Sequence, residues 1–210
     1  MVISTSADHF YIKAGVFVRK LLIYMITGFT AWLLSYSIIH WIAFPTLTHY
    51  QKLARVMARY EYTELTLIVF LSLSLWLFYF QFSRKKISVI YLYLVYSVYL
   101  FLLFVVLFAK ASHYHSLSLD PFDFFVKDKR IIMEAFLNVL YFIPLGALYG
   151  LKTRIAEFVF ASLITIIGIE TLQYVFYVGT FAISDILLNW LGCIIGYWIC
   201  RFLRSQMKVI

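Results

Sequence analysis

The chain reads as an all-α protein, a polytopic membrane helix bundle of about six transmembrane helices with a short amphipathic surface helix. Two observations carry this expectation. Of 210 residues, 64% are drawn from AVILMFWYC and only 13% are charged, where soluble domains run at roughly half apolar and about a quarter charged. Apolar runs of about 20 residues also recur along the chain. In hydrocarbon such a run must close its backbone hydrogen bonds within itself, which a helix does. A soluble enzyme, a disordered chain, a disulfide scaffold and a nucleic-acid-binding module are excluded, and no nucleic-acid partner is expected despite the net charge of +8. In a membrane protein Lys and Arg report orientation and lipid contact.

Taken between charged clusters, the spans fall at 20–43, 63–82, 87–109, 132–150, 155–178 and 183–203. The first follows Lys13, Arg19 and Lys20, is too long for a signal-peptide core and lacks a small-x-small cleavage site, so it reads as a retained signal anchor. From Phe44 to Tyr62, Pro45 is expected to stop the helix. Lys52, Arg55 and Arg59, interleaved with Leu53, Val56 and Met57, then predict a surface helix whose basic face suits water or anionic lipid. Spans two and three, rich in Tyr, Phe, Leu and Ser, are joined by Arg84-Lys85-Lys86.

Span four contains Pro144, whose missing N–H frees the Leu140 carbonyl and predicts a kink. Six of the eight glycines lie in the last three spans and their connections, and Gly146/Gly150 and Gly192/Gly196 both have the G-x-x-x-G spacing that lets membrane helices approach closely. Spans four to six are therefore expected to form the tight part of the fold, with Pro144 and these glycines in helix packing. Cys193 and Cys200, seven residues apart, lie about 10 Å apart on a helix and read as packing residues. His9, His40, His49, His113 and His115 sit at span ends or in connections without a ligand-spaced partner, so no metal or cofactor is expected. There is no internal repeat, and one integral membrane domain over 1–210 is the simplest organisation.

Orientation follows from the basic residues of the connections. With both termini cytoplasmic, 11 Lys and Arg lie inside and seven outside, the outer set being Lys52, Arg55, Arg59, Lys110, Lys127, Lys129 and Arg130. The connection from Val178 to Ser184 has no basic residue and is expected to face outward. The predicted location is the cytoplasmic (plasma) membrane.

A carboxylate at the centre of a membrane helix costs about 2.5–3.5 kcal/mol on insertion scales and asks for a reason. Glu170 lies deep in span five, roughly 12 Å below its outer end, with Gln173 and Tyr174 three and four residues on, on the same face. Span six opens with Asp185, followed by Asn189, Gly192 and Gly196 on one stripe, with Ser184 as a candidate cap. Asn138 lies in span four. Asn138, Glu170, Gln173, Asp185 and Asn189 all fall toward the outer half of the membrane and are expected to converge on one polar, ligand-binding cleft.

The ordered set N-x5-P-x-G at Asn138–Gly146, E-x2-Q at Glu170–Gln173, the turn glycine Gly179, and D-x3-N-x2-G-x3-G at Asp185–Gly196 resembles the VanZ-like family, over residues 113–204. Asp120-Pro121-Phe122 resembles its polar-Pro-Phe segment, and residues 1–110 supply additional spans without a recognised signature. Where many members have Arg after the turn glycine and a second Asp, this chain has Thr180 and Ala182. The resemblance implies a bacterial envelope protein associated with teicoplanin resistance. It brings no established reaction.

Three functions are open at this point. The leading one is a cleft that engages a lipid-linked cell-wall precursor or a lipoglycopeptide at the outer leaflet, with membrane lipids as further partners. The second is an intramembrane enzyme in which Glu170 and Asp185, the candidate catalytic pair, act on a lipid-linked precursor. The third is a proton-coupled transporter built on Glu170.

Overall fold

The computed structural model describes residues 4–49, 51–109, 114–125 and 128–209. Lys110, His113 and Lys127 lie outside them. Six helices among the described residues are long and apolar enough to cross a membrane: Ala14–Thr48, Thr63–Ser83, Val89–Phe108, Lys129–Gly150, Ile155–Val175 and Ile183–Gln206. Large apolar side chains remain exposed around them, including Phe17, Ile90 and Phe160. On a water-soluble protein such a surface is untenable, whereas lipid is as apolar as the side chains themselves. The chain is a multi-pass membrane protein.

The chain folds as two compact units, one comprising the described residues of Met1–His49 and Arg55–Arg84, the other those of Tyr50–Ala54 and Lys85–Ile210. In the first unit, α1 (Ser4–Ile38) leads through a π-helical turn, Ile39–Ala43, into α2 (Phe44–His49). Pro45 therefore does not stop the helix, contrary to expectation. The wide turn, in which Phe44 N–H reaches the Ile39 carbonyl, changes the spacing of carbonyls ahead of the proline ring. Thr46 and Thr48 hydroxyls then donate to the Ile42 and Phe44 carbonyls at 2.6 and 2.9 Å. After α3 (Gln51–Arg59), α4 (Thr63–Ser83) runs antiparallel to α1. Tyr24 packs on Phe80 with ring centroids 4.6 Å apart, and His40 Nδ1 lies 2.7 Å from Glu64 Oε1.

In the second unit, β1 (Lys86–Ile87), α5 (Val89–Ala109) and β2 (Tyr114–Ser118) precede α6 (Lys129–Gly150), α7 (Ile155–Val175), β3 (Val178–Ala182), α8 (Ile183–Gln206) and β4 (Lys208–Val209). The connections pair as two short parallel ribbons at opposite ends: β1 with β4, and β2 with β3 in the register His115 to Gly179. Span four begins at Lys129 because Asp128 accepts the Arg130 N–H at 2.9 Å and caps the helix. Span five ends at Val175, since Tyr177 takes a left-handed conformation (φ 56°) that turns the chain into β3.

The core is centred on Phe142, Ile166, Cys193 and Tyr197, with Phe158 stacked on Tyr197 at 4.2 Å. Two glycine pairs set the closest approach. A Cβ on Gly192 or Gly196 would collide with the Val139 or Ile143 carbonyl oxygen of α6, and one on Gly146 with the Cys193 backbone of α8. A Cβ on Gly150 would lie 2.9 Å from the Tyr197 carbonyl oxygen. The close approaches advance together along both helices, so α6 and α8 run parallel and interlock backbone to backbone. Proline at 144 is accommodated inside α6, and the Tyr99 hydroxyl of α5 donates to the Tyr141 carbonyl in the same stretch at 2.7 Å.

Gly196→Ala should lower thermal stability by about 1–3 kcal/mol, because the seam has no room for a methyl group. Gly168→Ala, where a Cβ would meet nothing within 4 Å, should leave it unchanged or slightly raised. Thermal unfolding of the two variants in detergent checks this, and equal midpoints would show that the seam yields.

Candidate functional site

The five polar residues picked out along the chain line one cavity at the β2–β3 end of the second unit. Its walls are Val106, Leu107, Glu134, Leu137, Asn138, Tyr141, Glu170, Gln173, Asp185 and Asn189, contributed by α5, α6, α7 and α8. Its volume is about 30 Å³, room for a pair of waters or one small polar group.

Each side chain is held by a partner on another helix. Asn138 Nδ2 on α6 donates to Asp185 Oδ1 on α8 at 2.7 Å. Asn189 Nδ2, one turn further along α8, donates to Glu170 Oε1 on α7 at 3.2 Å. Gln173 Nε2 donates to the Leu107 carbonyl of α5 at 2.8 Å, close to that helix's end. Glu170 and Asn189 are both 2% exposed. The Asn189 Oδ1 is buried without a hydrogen-bond partner, and a buried acceptor left in that state costs about 1–3 kcal/mol.

Gly179 serves the same cluster by its lack of a side chain. A Cβ there would sit 3.3 Å from Gln173 Cβ, so glycine at 179 lets β3 pack against Gln173 without displacing it. Ser184 does not cap α8 as anticipated. Strand β3 feeds directly into the helix, Ala182 occupies the cap position without a side-chain hydrogen bond, and Ser184 is buried. Asp185 stays in the first turn, where the helix dipole favours a carboxylate. Tyr174, on the same helix face as Glu170 by spacing, instead packs edge-on against Phe181, with centroids 6.4 Å apart. Lys129 and Arg130 are exposed and do not line the cavity.

Glu134 was not anticipated. It lies one turn before Asn138 on α6, is exposed, and reaches the cavity wall. Its spacing of four from Asn138 was the available signal, masked by its position near the start of the span. With Glu170 and Asp185 it makes three carboxyl groups around one cavity that, among the described residues, no Lys or Arg lines. Among the described residues no group of three or more His, Cys, Asp or Glu is arranged to hold a metal ion.

A family model described as VanZ/LLP1 matches residues 68–204, more than half of the chain. The chain belongs to the VanZ/LLP1 family. No curated protein and no solved structure matches it. Membership makes it a bacterial cell-envelope membrane protein with a general envelope and antibiotic-resistance association. The VanZ/LLP1 match starts inside α4, well before residue 113 where the motif resemblance starts, and it contains every cavity-lining residue. At the two positions that depart from the VanZ-like pattern, Thr180 Oγ1 accepts a hydrogen bond from Ser116 Oγ at 3.1 Å and Ala182 is buried. Both positions serve the β2–β3 ribbon.

The Asn138–Asp185 bond is testable as a coupling between α6 and α8. Asn138→Leu and Asp185→Leu should each destabilise the protein by about 1–3 kcal/mol. The double variant should lose less than the sum, by about 0.5–3 kcal/mol. Reversible unfolding of the four proteins in detergent measures the difference, and strict additivity would count against the bond.

Proposed function

We propose that the cavity of this VanZ/LLP1 protein binds the terminal polar group of a lipid-linked envelope ligand at the outer leaflet. The observation that supports the reading is the convergence of Asn138, Glu170, Gln173, Asp185 and Asn189, from three helices, on one small cavity with a buried acceptor to spare. The buried Asn189 Oδ1 asks for a donor, so the group that enters carries O–H or N–H. Among the described residues no cation lines the walls, which favours an uncharged or donor-bearing group over a phosphate.

Volume narrows the ligand further. A cavity of about 30 Å³ takes a hydroxyl, amide or amino terminus, and the remainder of the molecule must lie outside it. An amphiphile anchored by its own lipid meets that condition, since its tail stays in hydrocarbon while its end group enters. Both a lipid-linked cell-wall precursor and a lipidated glycopeptide such as teicoplanin have this form. Orientation with the cavity at the outer face belongs to the proposal and rests on the distribution of basic residues.

A second reading is favoured by one feature: Glu170 and Asp185 line the same cavity, as an acid and base pair acting on one bound group would require. Turnover of a labelled envelope lipid, lost in either single variant, distinguishes it from binding without product.

The primary test is susceptibility to teicoplanin and vancomycin in a sensitive host expressing wild type or Glu170→Gln at matched membrane levels. Protection should be selective for the lipidated drug and should vanish in the variant. In purified protein Glu170→Gln should weaken ligand binding about tenfold, equivalent to about 1.4 kcal/mol. Equal susceptibility of all strains overturns the resistance reading.

A further inference from the structure

A second, largely open concavity, of about 540 Å³, lies wholly within the first unit and is lined by Arg59, Tyr60, Glu61, Tyr62, Thr63, Thr66 and Leu67. Its residues precede 68, where the family match begins, so the site is no part of the matched region. We propose that this elbow between α3 and α4 holds the headgroup of a zwitterionic aminophospholipid, with Arg59 taking the phosphate and Glu61 the ammonium.

Depth identifies lipid as the occupant. Helix α4 has 21 residues, about 31 Å at 1.5 Å per residue, which is the thickness of the hydrocarbon layer. The turn immediately before it therefore sits at headgroup level. Tyr60 and Tyr62 are 64% and 69% exposed, as expected of phenol rings that anchor in that layer. Leu65, Val69 and Leu73 are exposed on another flank of α4, as expected of a helix set in hydrocarbon.

Charge identifies the headgroup. Arg59 and Glu61 are both exposed, both line the cavity, and neither forms an ion pair with another described residue. Opposite charges presented two residues apart match a ligand that carries a phosphate and an amine on one short linker. A purely anionic headgroup would meet Glu61 unfavourably. The guanidinium fork suits phosphate oxygens, and a carboxylate suits the three N–H donors of a primary ammonium.

The site is preformed. Tyr60 N–H donates to the Met57 carbonyl at 3.1 Å, Thr63 N–H and Oγ1 donate to the Tyr60 carbonyl at 3.1 and 2.8 Å, and Thr66 Oγ1 donates to the Tyr62 carbonyl at 2.8 Å. The turn is thus tied at both ends, and little ordering is left for the ligand to impose.

Native mass spectrometry of the full chain with an equimolar mixture of phosphatidylethanolamine and phosphatidylglycerol tests the assignment. Wild type should retain phosphatidylethanolamine about fivefold over phosphatidylglycerol, the ratio that one exposed ion pair supplies. Glu61→Gln should abolish the preference while phospholipid is still retained, and Arg59→Gln should reduce retention of both lipids. Unchanged thermal midpoints are expected, since both side chains are exposed. Free phosphoethanolamine should displace the lipid only weakly, because it lacks the acyl chains. Equal or greater retention of phosphatidylglycerol by wild type overturns the proposal, as does a preference that survives Glu61→Gln.

Discussion

The backbone contact between α6 and α8 governs the rest of the second unit. Hydrocarbon supplies no hydrophobic drive to bring helices together, so close packing and the polar contacts it permits must hold them. Gly192 and Gly196 accept the Val139 and Ile143 carbonyl oxygens where any side chain would exclude them, and Gly146 and Gly150 reciprocate from α6. At that separation short side chains reach across. Asn138, next to Val139 at the start of the seam, meets Asp185 of α8. A wider spacing would part that pair and open the cavity to lipid, where polar groups find no substitute partner. The glycines and the polar residues are therefore one device: the seam sets the distance, and the polar cluster depends on it.

Much of this was legible along the chain, because the relevant information is local. A helix repeats every 3.6 residues, so the stripe Asp185, Asn189, Gly192, Gly196 and the face shared by Glu170 and Gln173 follow from spacing alone. The cost of polar groups in lipid marks those residues as needing partners. Which partners they find was not legible. His40 and Glu64 are separated by 24 residues and meet only because α1 and α4 lie antiparallel. The β2–β3 ribbon joins two connections far apart in the chain. Glu134 escaped notice because a carboxylate near a span end looks solvated until its neighbour four residues on is seen to face a cavity. Pro45 misled for a different reason. The propensity argument assumes an α-helical hydrogen-bond ladder, and the π turn at Ile39–Ala43 changes that ladder just ahead of the ring.

On the two proposed readings, the sites differ in the physical quantity that would select their ligand. In the small one selection rests on desolvation. Glu170 and Asn189 are almost wholly removed from solvent, so on the proposed reading a group that failed to donate to Asn189 Oδ1 would leave that acceptor unsatisfied, a difference of about 1–3 kcal/mol. At the α3–α4 elbow the charges are exposed, each ion pair contributes at most about 1 kcal/mol, and preference must come from having both signs at once. Stringency would then belong to the buried cavity, and the elbow would discriminate modestly among lipids present in great excess. A modest preference would suffice for the proposed lipid, because the membrane itself would supply the effective concentration and the ligand would stay in the layer in which α4 is embedded.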